Sequence, residues 1–370
     1  MVLAFLAEAG DELVSGEAMS DKLGLSRAAV WKHVDALRAQ GYRIDAIPAR
    51  GYRLVGVPDR LGELELRPLI NTHEIGHALH WFSEVGSTND VARALAEEGA
   101  AHGEVVIAES QTAGRGRRGR AWISPPGRNI YLSVILRPDL PPARAPELTL
   151  LSSVALCQAV RHAGVPADIK WPNDLMAHGR KVAGVLTEMA AEVDQVQWVV
   201  LGVGINVNAR AEDFPPELRG SATSLCLERG QPVPRALLAS AVLGALEEWL
   251  DRHAAEGFGP VRAAWKEMSE TLGREVRVRS PGHDVEGVAE DVDEIGALIV
   301  RTRAGRERVL AGDVESLRPA AAPAAQDGPA AAPAAAPSAQ DRPPASPTLT
   351  SGAPPPIPPP AGPPRRRPPV

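Results

Sequence analysis

Apolar residues recur along this chain with a spacing that changes from stretch to stretch, and the changes divide it into four parts. Through about residue 58 the pattern is short and helical. Residues 15–23 have helical spacing that ends at Gly24, and Ser26 is placed to cap a second helix carrying Ala28, Val30, His33, Val34 and Leu37 to a stop at Gly41. Two short helices joined by a glycine-containing turn predict a helix-turn-helix. Residues 42–47 and 51–55 then bracket Pro48-Ala49-Arg50, which predicts a β-hairpin with Arg50 near its tip. The unit reads as a winged helix-turn-helix.

From about residue 60 to 268 strands alternate with helices. Residues 104–108 and 129–136 are continuous apolar runs that predict buried strands, and 182–186 predicts another. Residues 198–208 predict a central strand whose small residues, Gly202 and Gly204, let a ligand approach the backbone, with Asn206 as a polar end. Residues 271–318 are strand-rich. The remainder is low complexity and holds 18 of the 35 prolines, with alanine runs and a terminal Arg365-Arg366-Arg367 between prolines. Such a composition buries too little apolar surface to fold, and predicts a disordered, polyproline-like tail. A ligand for a proline-binding module or an anionic surface is the functional alternative for it.

At 370 residues the chain is long enough for two or three domains with a real core, a multidomain α+β protein. Cys157 and Cys226 lie far apart in apolar contexts, with neither metal-site nor disulfide spacing, as expected of reduced thiols in a cytoplasmic protein. Met1 to Leu6 is apolar, but Glu8, Asp11 and Glu12 interrupt it before a secretory core forms, and no apolar run is long enough to span a bilayer.

The formal net charge of −6 argues against a protein that coats nucleic acid throughout. Residues 22–53 depart from it. Seven cations there stand against Asp35 and Asp45, a local net charge of +5, which is the electrostatic footprint of a phosphate-contacting face. Ser26, Arg27, Trp31 and Lys32 at the start of the second helix, with Arg50 in the wing, are the residues placed toward DNA. A winged helix used for protein contacts is the alternative.

Candidate chemistry concentrates in the second part. Gly114 to Arg120 interleaves four arginines with three glycines, so guanidinium forks and bare N–H groups can both approach an anion. Runs of this kind also occur as nucleic-acid patches or solvated tails, but this one joins two predicted strands of one sheet, where ligands bind. In Asp168 to Leu175, Pro172 and Asn173 force a turn that leaves Lys170 and Asp174 flanking a strand end. Lys181 opens the next apolar strand, a position that also suits a solvated end residue. The chain has no nucleophile elbow, activated-cysteine constellation or metal-ligand pattern. Fixed cations around small-residue strands suit a reaction between two anions, such as a carboxylate attacking the α-phosphate of a nucleotide.

These segments, with Gly86-Ser87-Thr88-Asn89 at a strand-to-helix junction and residues 23–34 of the helix-turn-helix, resemble biotin–protein ligase of the bifunctional type that is also a biotin-operon repressor. The likeness runs from near Met1 to about Pro319. It implies a winged helix-turn-helix over 1–58, a biotin/ATP-binding domain over 59–270 with a mixed sheet related to class II aminoacyl-tRNA synthetases, an SH3-like barrel over 271–319, and the tail over 320–370. It implies activation of biotin by ATP to biotinyl-5′-adenylate, helped by Mg2+, and transfer to a lysine of a biotin carboxyl carrier protein. By matching motif, Ser87, Thr88, Asn89, Gln111, Arg115, Gly116 and Arg117 would contact or enclose biotin, and Lys181 would hold its carboxylate and the phosphate oxygens. Arg118, Arg120, Trp122, Asn173 and Asn206 would take the adenylate, and Asp174 would orient Mg2+, itself held through substrate phosphates, or the incoming lysine amine. Lys181, Arg117 and Asp174 are the catalytic candidates. A homodimer presenting two heads to a two-half-site operator is also implied.

Two features depart from the family pattern. The first helix starts almost at Met1, so the DNA-binding part is expected to be short at its start, and the proline-rich tail has no counterpart. A biotin sensor without catalysis and a lipoate–protein ligase are the competing readings. The complete set of transition-state cations disfavours the first, and the winged helix with the Lys170 to Asp174 segment disfavours the second.

Overall fold

The computed structural model describes residues 1–280 and 283–317; the predicted disordered tail and the last residues of the predicted C-terminal domain lie outside the described residues. Among the described residues the chain begins with α1 (Val2–Glu8), α2 (Gly16–Leu23) and α3 (Arg27–Ala39), followed by the antiparallel pair β1 (Arg43–Ile47) and β2 (Gly51–Gly56). The Gly24 stop and the Ser26 cap are where the sequence places them, and Ser15, read as the first helical residue, caps α2. Ser15 Oγ accepts from the Ala18 amide at 3.0 Å, Gly24 ends α2 at φ 65°, and Ser26 Oγ accepts from the Ala29 amide at 3.2 Å. Val2, Leu6, Met19, Val30, Val34 and Ile44 close a separate small core, which leaves the opposite side of α3 free.

The central part contains α4 (Glu63–Leu66), β3 (Leu79–Phe82), α5 (Thr88–Glu97), β4 (Val105–Ala108), β5 (Ile130–Leu136), α6 (Ala145–His162), β6 (Asp168–Lys170), β7 (Asp174–Ala177), β8 (Arg180–Ala191) and β9 (Val196–Ile205), then α7 (Leu225–Arg229), α8 (Arg235–Glu256) and α9 (Gly259–Glu267). The strands form one seven-stranded sheet in the order β3-β4-β5-β9-β8-β7-β6. β3 and β4 run parallel and every other neighbouring pair is antiparallel, so the sheet is mixed. Side-chain alternation sorts its residues. Val106, Ile135 and Val200 meet Ala92 and Ala96 of α5, while Val105, Ile107, Val134 and Leu201 join the main core with Leu151 and Val154 of α6. Coverage of both faces is why these strands read as unbroken apolar runs. Cys157 is buried in that core, where desolvation pushes its thiol up to about 11, the inert thiol the sequence suggests.

β10 (Glu275–Arg279), β11 (Asp284–Val292), β12 (Leu298–Arg301), β13 (Arg306–Val309) and β14 (Asp313–Ser316) make an antiparallel sheet in the order β13-β12-β11-β10-β14. Trp171, at the β6–β7 turn, joins it to the central domain: its amide donates to Thr271 Oγ1 at 2.9 Å and its indole N–H to the Gly296 carbonyl at 3.1 Å. The turn beside the candidate site is thereby fixed from below.

Candidate functional site

β4 and β5 are neighbours, so the glycine-arginine loop leaves and re-enters one end of the sheet beside the ends of β7, β8 and β9. A cavity of about 470 Å³ opens there. Its size suits a small organic ligand.

At one side lies a neutral polar cradle. Thr88 donates its amide to Gln111 Oε1 at 2.9 Å, and Gln111 Nε2 donates to Ser124 Oγ at 3.0 Å. Ser133 Oγ lies 2.8 Å from Thr88 Oγ1 and 2.7 Å from Asn89 Oδ1, and Asn89 Nδ2 donates to Glu188 Oε2 at 2.6 Å. Each hydroxyl and amide is held by another, which fixes their orientation before a ligand arrives. Gly202 and Gly204, small residues where the sequence lets a ligand approach, line the cavity and also make room for protein side chains. A Cβ on Gly202 would overlap Asn89 Oδ1, and one on Gly204 would stand 2.5 Å from the Trp122 ring.

The other side is cationic. Lys181 Nζ sits 2.6 Å from Asp174 Oδ1 and 5.3 Å from the Trp122 ring centroid. Trp122 Nε1 is buried without a partner, a donor open to a ligand in the cavity it lines. Asn173 Nδ2 donates to the Val185 carbonyl at 2.6 Å and Asn206 Nδ2 to the Thr223 carbonyl at 3.0 Å, so both amides are held in a set orientation. Arg115 clasps Asp90 through two bonds of 2.6 and 2.7 Å, which hold the Asp90 carboxyl below the usual range and Arg115 above it. Burial pulls Arg117 below its ordinary value, and its guanidinium donates to Asn173 Oδ1 at 3.1 Å.

Of the residues the sequence proposes for biotin, nucleotide and catalysis, Ser87, Thr88, Asn89, Gln111, Arg115, Gly116, Arg117, Arg120, Trp122, Asn173, Asp174, Lys181 and Asn206 line this one cavity. Arg118 does not. It adopts φ 55° and donates to the Arg279 carbonyl of β10 at 3.0 Å, on the C-terminal sheet. Ser133, Glu188 and Asp313 escape the sequence reading. Ser133 carried a signal, a serine within an otherwise apolar buried strand; Asp313 follows the arginine loop by nearly two hundred residues and carried none.

In the head, Arg27, Trp31, Lys32 and Arg50 are exposed, on or near the first turns of α3 and at the tip of the hairpin, with Ser26 as the α3 cap. Trp31 is 53% exposed, although it is the largest apolar residue of its helix. Among the described residues Arg27 pairs only with Glu17, at 3.2 Å, in a solvent-exposed pair that contributes little to stability.

Three family descriptions match the chain: an HTH domain over residues 2–53, the biotin/lipoate A/B protein ligase family over 81–206, and the biotin protein ligase C-terminal domain over 271–316. The bifunctional ligase/repressor BirA of Bacillus subtilis is 40% identical over 315 residues, 85% of this chain and 97% of that protein. The biotin–[acetyl-CoA-carboxylase] ligase of Mycobacterium tuberculosis is 40% identical over 248 residues, 64% of this chain and 88% of the relative. Among solved structures, the biotin protein ligase of Aquifex aeolicus in complex with biotin and ATP superposes with a TM-score of 0.57 at 28% identity, over 66% of this chain and all of that one. The chain belongs to the biotin–protein ligase family, in its bifunctional ligase/repressor branch.

Proposed function

We propose that the chain joins biotin to ATP, forming biotinyl-5′-adenylate and pyrophosphate, and then transfers biotin to a lysine of a biotin carboxyl carrier protein. The observation that carries this reading is the division of one cavity into a neutral hydrogen-bonding cradle and a cationic end. A ureido ring matches the donors and acceptors of Ser87, Thr88, Asn89 and Gln111, while Val185 and Leu186 suit the apolar arm that leads the carboxylate toward Lys181.

In the first step a biotin carboxylate oxygen attacks the α-phosphorus as the bond to pyrophosphate breaks. Both reactants are anions, so repulsion is the obstacle. Lys181 and Arg117 supply fixed positive charge there without reorganising, and that is worth more in a partly closed site than in water. Arg120, Trp122, Asn173 and Asn206 take the nucleotide, with Arg118 reaching it only if the loop turns. In the second step a lysine amine attacks the biotinyl carbonyl, AMP leaves, and Asp174 orients the amine. Among the described residues no group of three or more His, Cys, Asp or Glu forms a metal cage. Mg2+ is commonly held by one or two carboxylates together with substrate phosphates, and Asp174 fits that donor set.

The head supports the second activity, binding to operator DNA through Ser26, Arg27, Trp31, Lys32 and Arg50. A homodimer would present two such heads to paired half-sites. Domain limits at 58 and 270 are proposed on the changes of sheet along the chain, and an SH3-like barrel for the C-terminal strands is proposed on their antiparallel order. No helix of the described residues is long and apolar enough to cross a membrane.

Mass spectrometry of a biotin carboxyl carrier domain incubated with the protein, biotin, ATP and Mg2+ tests the ligase reading. One added biotin is expected; an unchanged mass with biotin bound to the protein would leave a sensor, and transfer of lipoate instead of biotin would reassign the substrate.

A further inference from the structure

A relay of hydrogen bonds runs inward from the neutral side of the cavity. Thr88 and Asn89 open α5, Ser133 lies in the middle of β5 and Glu188 on β8, so the relay is built outside the glycine-arginine loop. Thr88, Asn89 and Ser133 are buried. Ser133 stands opposite Gly202 in the sheet, and the missing side chain there admits Asn89 Oδ1 to the Ser133 hydroxyl. Thr88 and Asn89 line the cavity, whereas Ser133, behind them, does not.

The direction of each bond follows from counting protons. Asn89 Nδ2 donates to Glu188 Oε2 at 2.6 Å and toward the Leu186 carbonyl at 3.4 Å. A carbonyl can only accept, so the amide nitrogen takes that side and Oδ1 faces Ser133. Oδ1 accepts in turn, and Ser133 gives it its one hydroxyl proton at 2.7 Å. Ser133 Oγ and Thr88 Oγ1 are 2.8 Å apart, and the proton between them must then come from Thr88. Thr88 has no second hydroxyl proton, so to a ligand it offers lone pairs. Every donor in the relay points toward the Glu188 carboxylate, an arrangement in which each bond polarises the next.

We propose that Ser133 is the positioning residue that sets the sense of the cradle: by taking the Thr88 proton it makes Thr88 an obligate acceptor, and so selects a ligand that presents an N–H there. A ligand oxygen at that point would meet lone pairs, and a site built for one hydrogen-bonding sense rejects the other. That the N–H belongs to a ureido ring rests on the ligase reading above; the direction of the relay does not. Without the Ser133 hydroxyl the Thr88 proton turns to Gln111 Oε1, 3.2 Å away, or into the cavity, and either placement spends an acceptor that the ligand needs.

In calorimetric titrations without ATP, Ser133→Ala should raise the Kd for biotin about tenfold, the size of one hydrogen bond. Thr88→Val keeps the shape of threonine without its hydroxyl. In that background Ser133→Ala should raise the Kd by less than about twofold, since no Thr88 proton is left to place. A general loosening of the site would multiply the Kd equally in both backgrounds. That result, or an unchanged Kd in Ser133→Ala alone, would overturn the positioning role. Thermal melting of the ligand-free proteins reads the relay itself. Both substitutions break the same Thr88–Ser133 bond, so the double variant should lose less melting temperature than the two single losses added, and additive losses would overturn the relay. A wild-type protein that binds no biotin would remove the ligase reading, and the melting comparison would still decide the relay.

Discussion

Replacing Lys181 with alanine removes the cation at the junction of the two half-sites, and two separable losses follow. The first is catalytic. Lys181 lines the cavity 2.6 Å from Asp174, where carboxylate and α-phosphate must approach each other, and loss of one preorganised donor to developing charge costs about 10²–10³ in rate. The second is electrostatic and precedes chemistry. Without Lys181, Asp174 faces an incoming biotin carboxylate unneutralised; at about 5 Å and an effective dielectric of about 20 that repulsion is about 3 kcal/mol. Rapid-quench measurement of adenylate formation reads the first, and calorimetric titration with biotin alone reads the second. Lys181→Ala should lose adenylation by the stated factor and also bind biotin more weakly, whereas Asp174→Asn combined with Lys181→Ala should recover biotin binding but not the rate. Both side chains are partly exposed, so the fold should persist, with a stability change of about 1 kcal/mol or less. Adenylation within about threefold of wild type, under about 0.7 kcal/mol, would refute the role of Lys181. No recovery of biotin binding in the double variant would refute the repulsion.

The two β9 glycines should separate the half-sites. Gly202→Ala drives a methyl into Asn89 and should raise the Kd for biotin, while Gly204→Ala drives one into Trp122 and should raise the KM for ATP with biotin binding retained; each should cost about 1–3 kcal/mol of stability by thermal melting, and effects the other way round would misplace the substrates. Arg27→Ala with Lys32→Ala should weaken operator binding and flatten its salt dependence by about two counterions without altering ligation, and an unchanged salt slope in mobility-shift titrations would move the DNA contact elsewhere. Glu147 should govern acid stability. Burial alone would raise its pKa, but bonds from His253 and Arg144, each 2.7 Å, hold it below the usual glutamate range. A folded pKa below the unfolded value stabilises above the ordinary glutamate pKa and is lost as pH falls through the folded one. Glu147→Gln should thus lower stability at pH 7 by about 3 kcal/mol and flatten its acid dependence in urea titrations, and parallel acid profiles for the two proteins would show that the carboxylate is not the titrating group.

The parts of this molecule that local sequence encodes were legible, and those that depend on distant pairing were not. Gly24 and Ser26 state the ends of the head's helices because a cap is satisfied within three or four residues. The apolar runs of β4, β5 and β9 announce buried strands for the same reason: burial on both faces leaves its mark within each strand. Their order in the sheet leaves none, since β5 pairs with β9 across more than sixty intervening residues. The same limit runs through the site. Gly114 to Arg120 advertises anion binding by composition, yet nothing within the loop says that Arg115 is spent on Asp90 or that Arg118 faces the C-terminal sheet. Gly202 and Gly204 were read as close approaches, and both line the cavity; that Asn89 and Trp122 also pack against them could not be read, because a glycine records that something is near and not what it is. Asp313 is the extreme case. It stands at the start of an ordinary edge strand after a glycine, which reads locally as a turn, and becomes informative only when the fold brings three arginines to it. A cation cluster seen in sequence is therefore an upper bound on the charge offered to substrate; the carboxylates that the fold brings against it set the remainder.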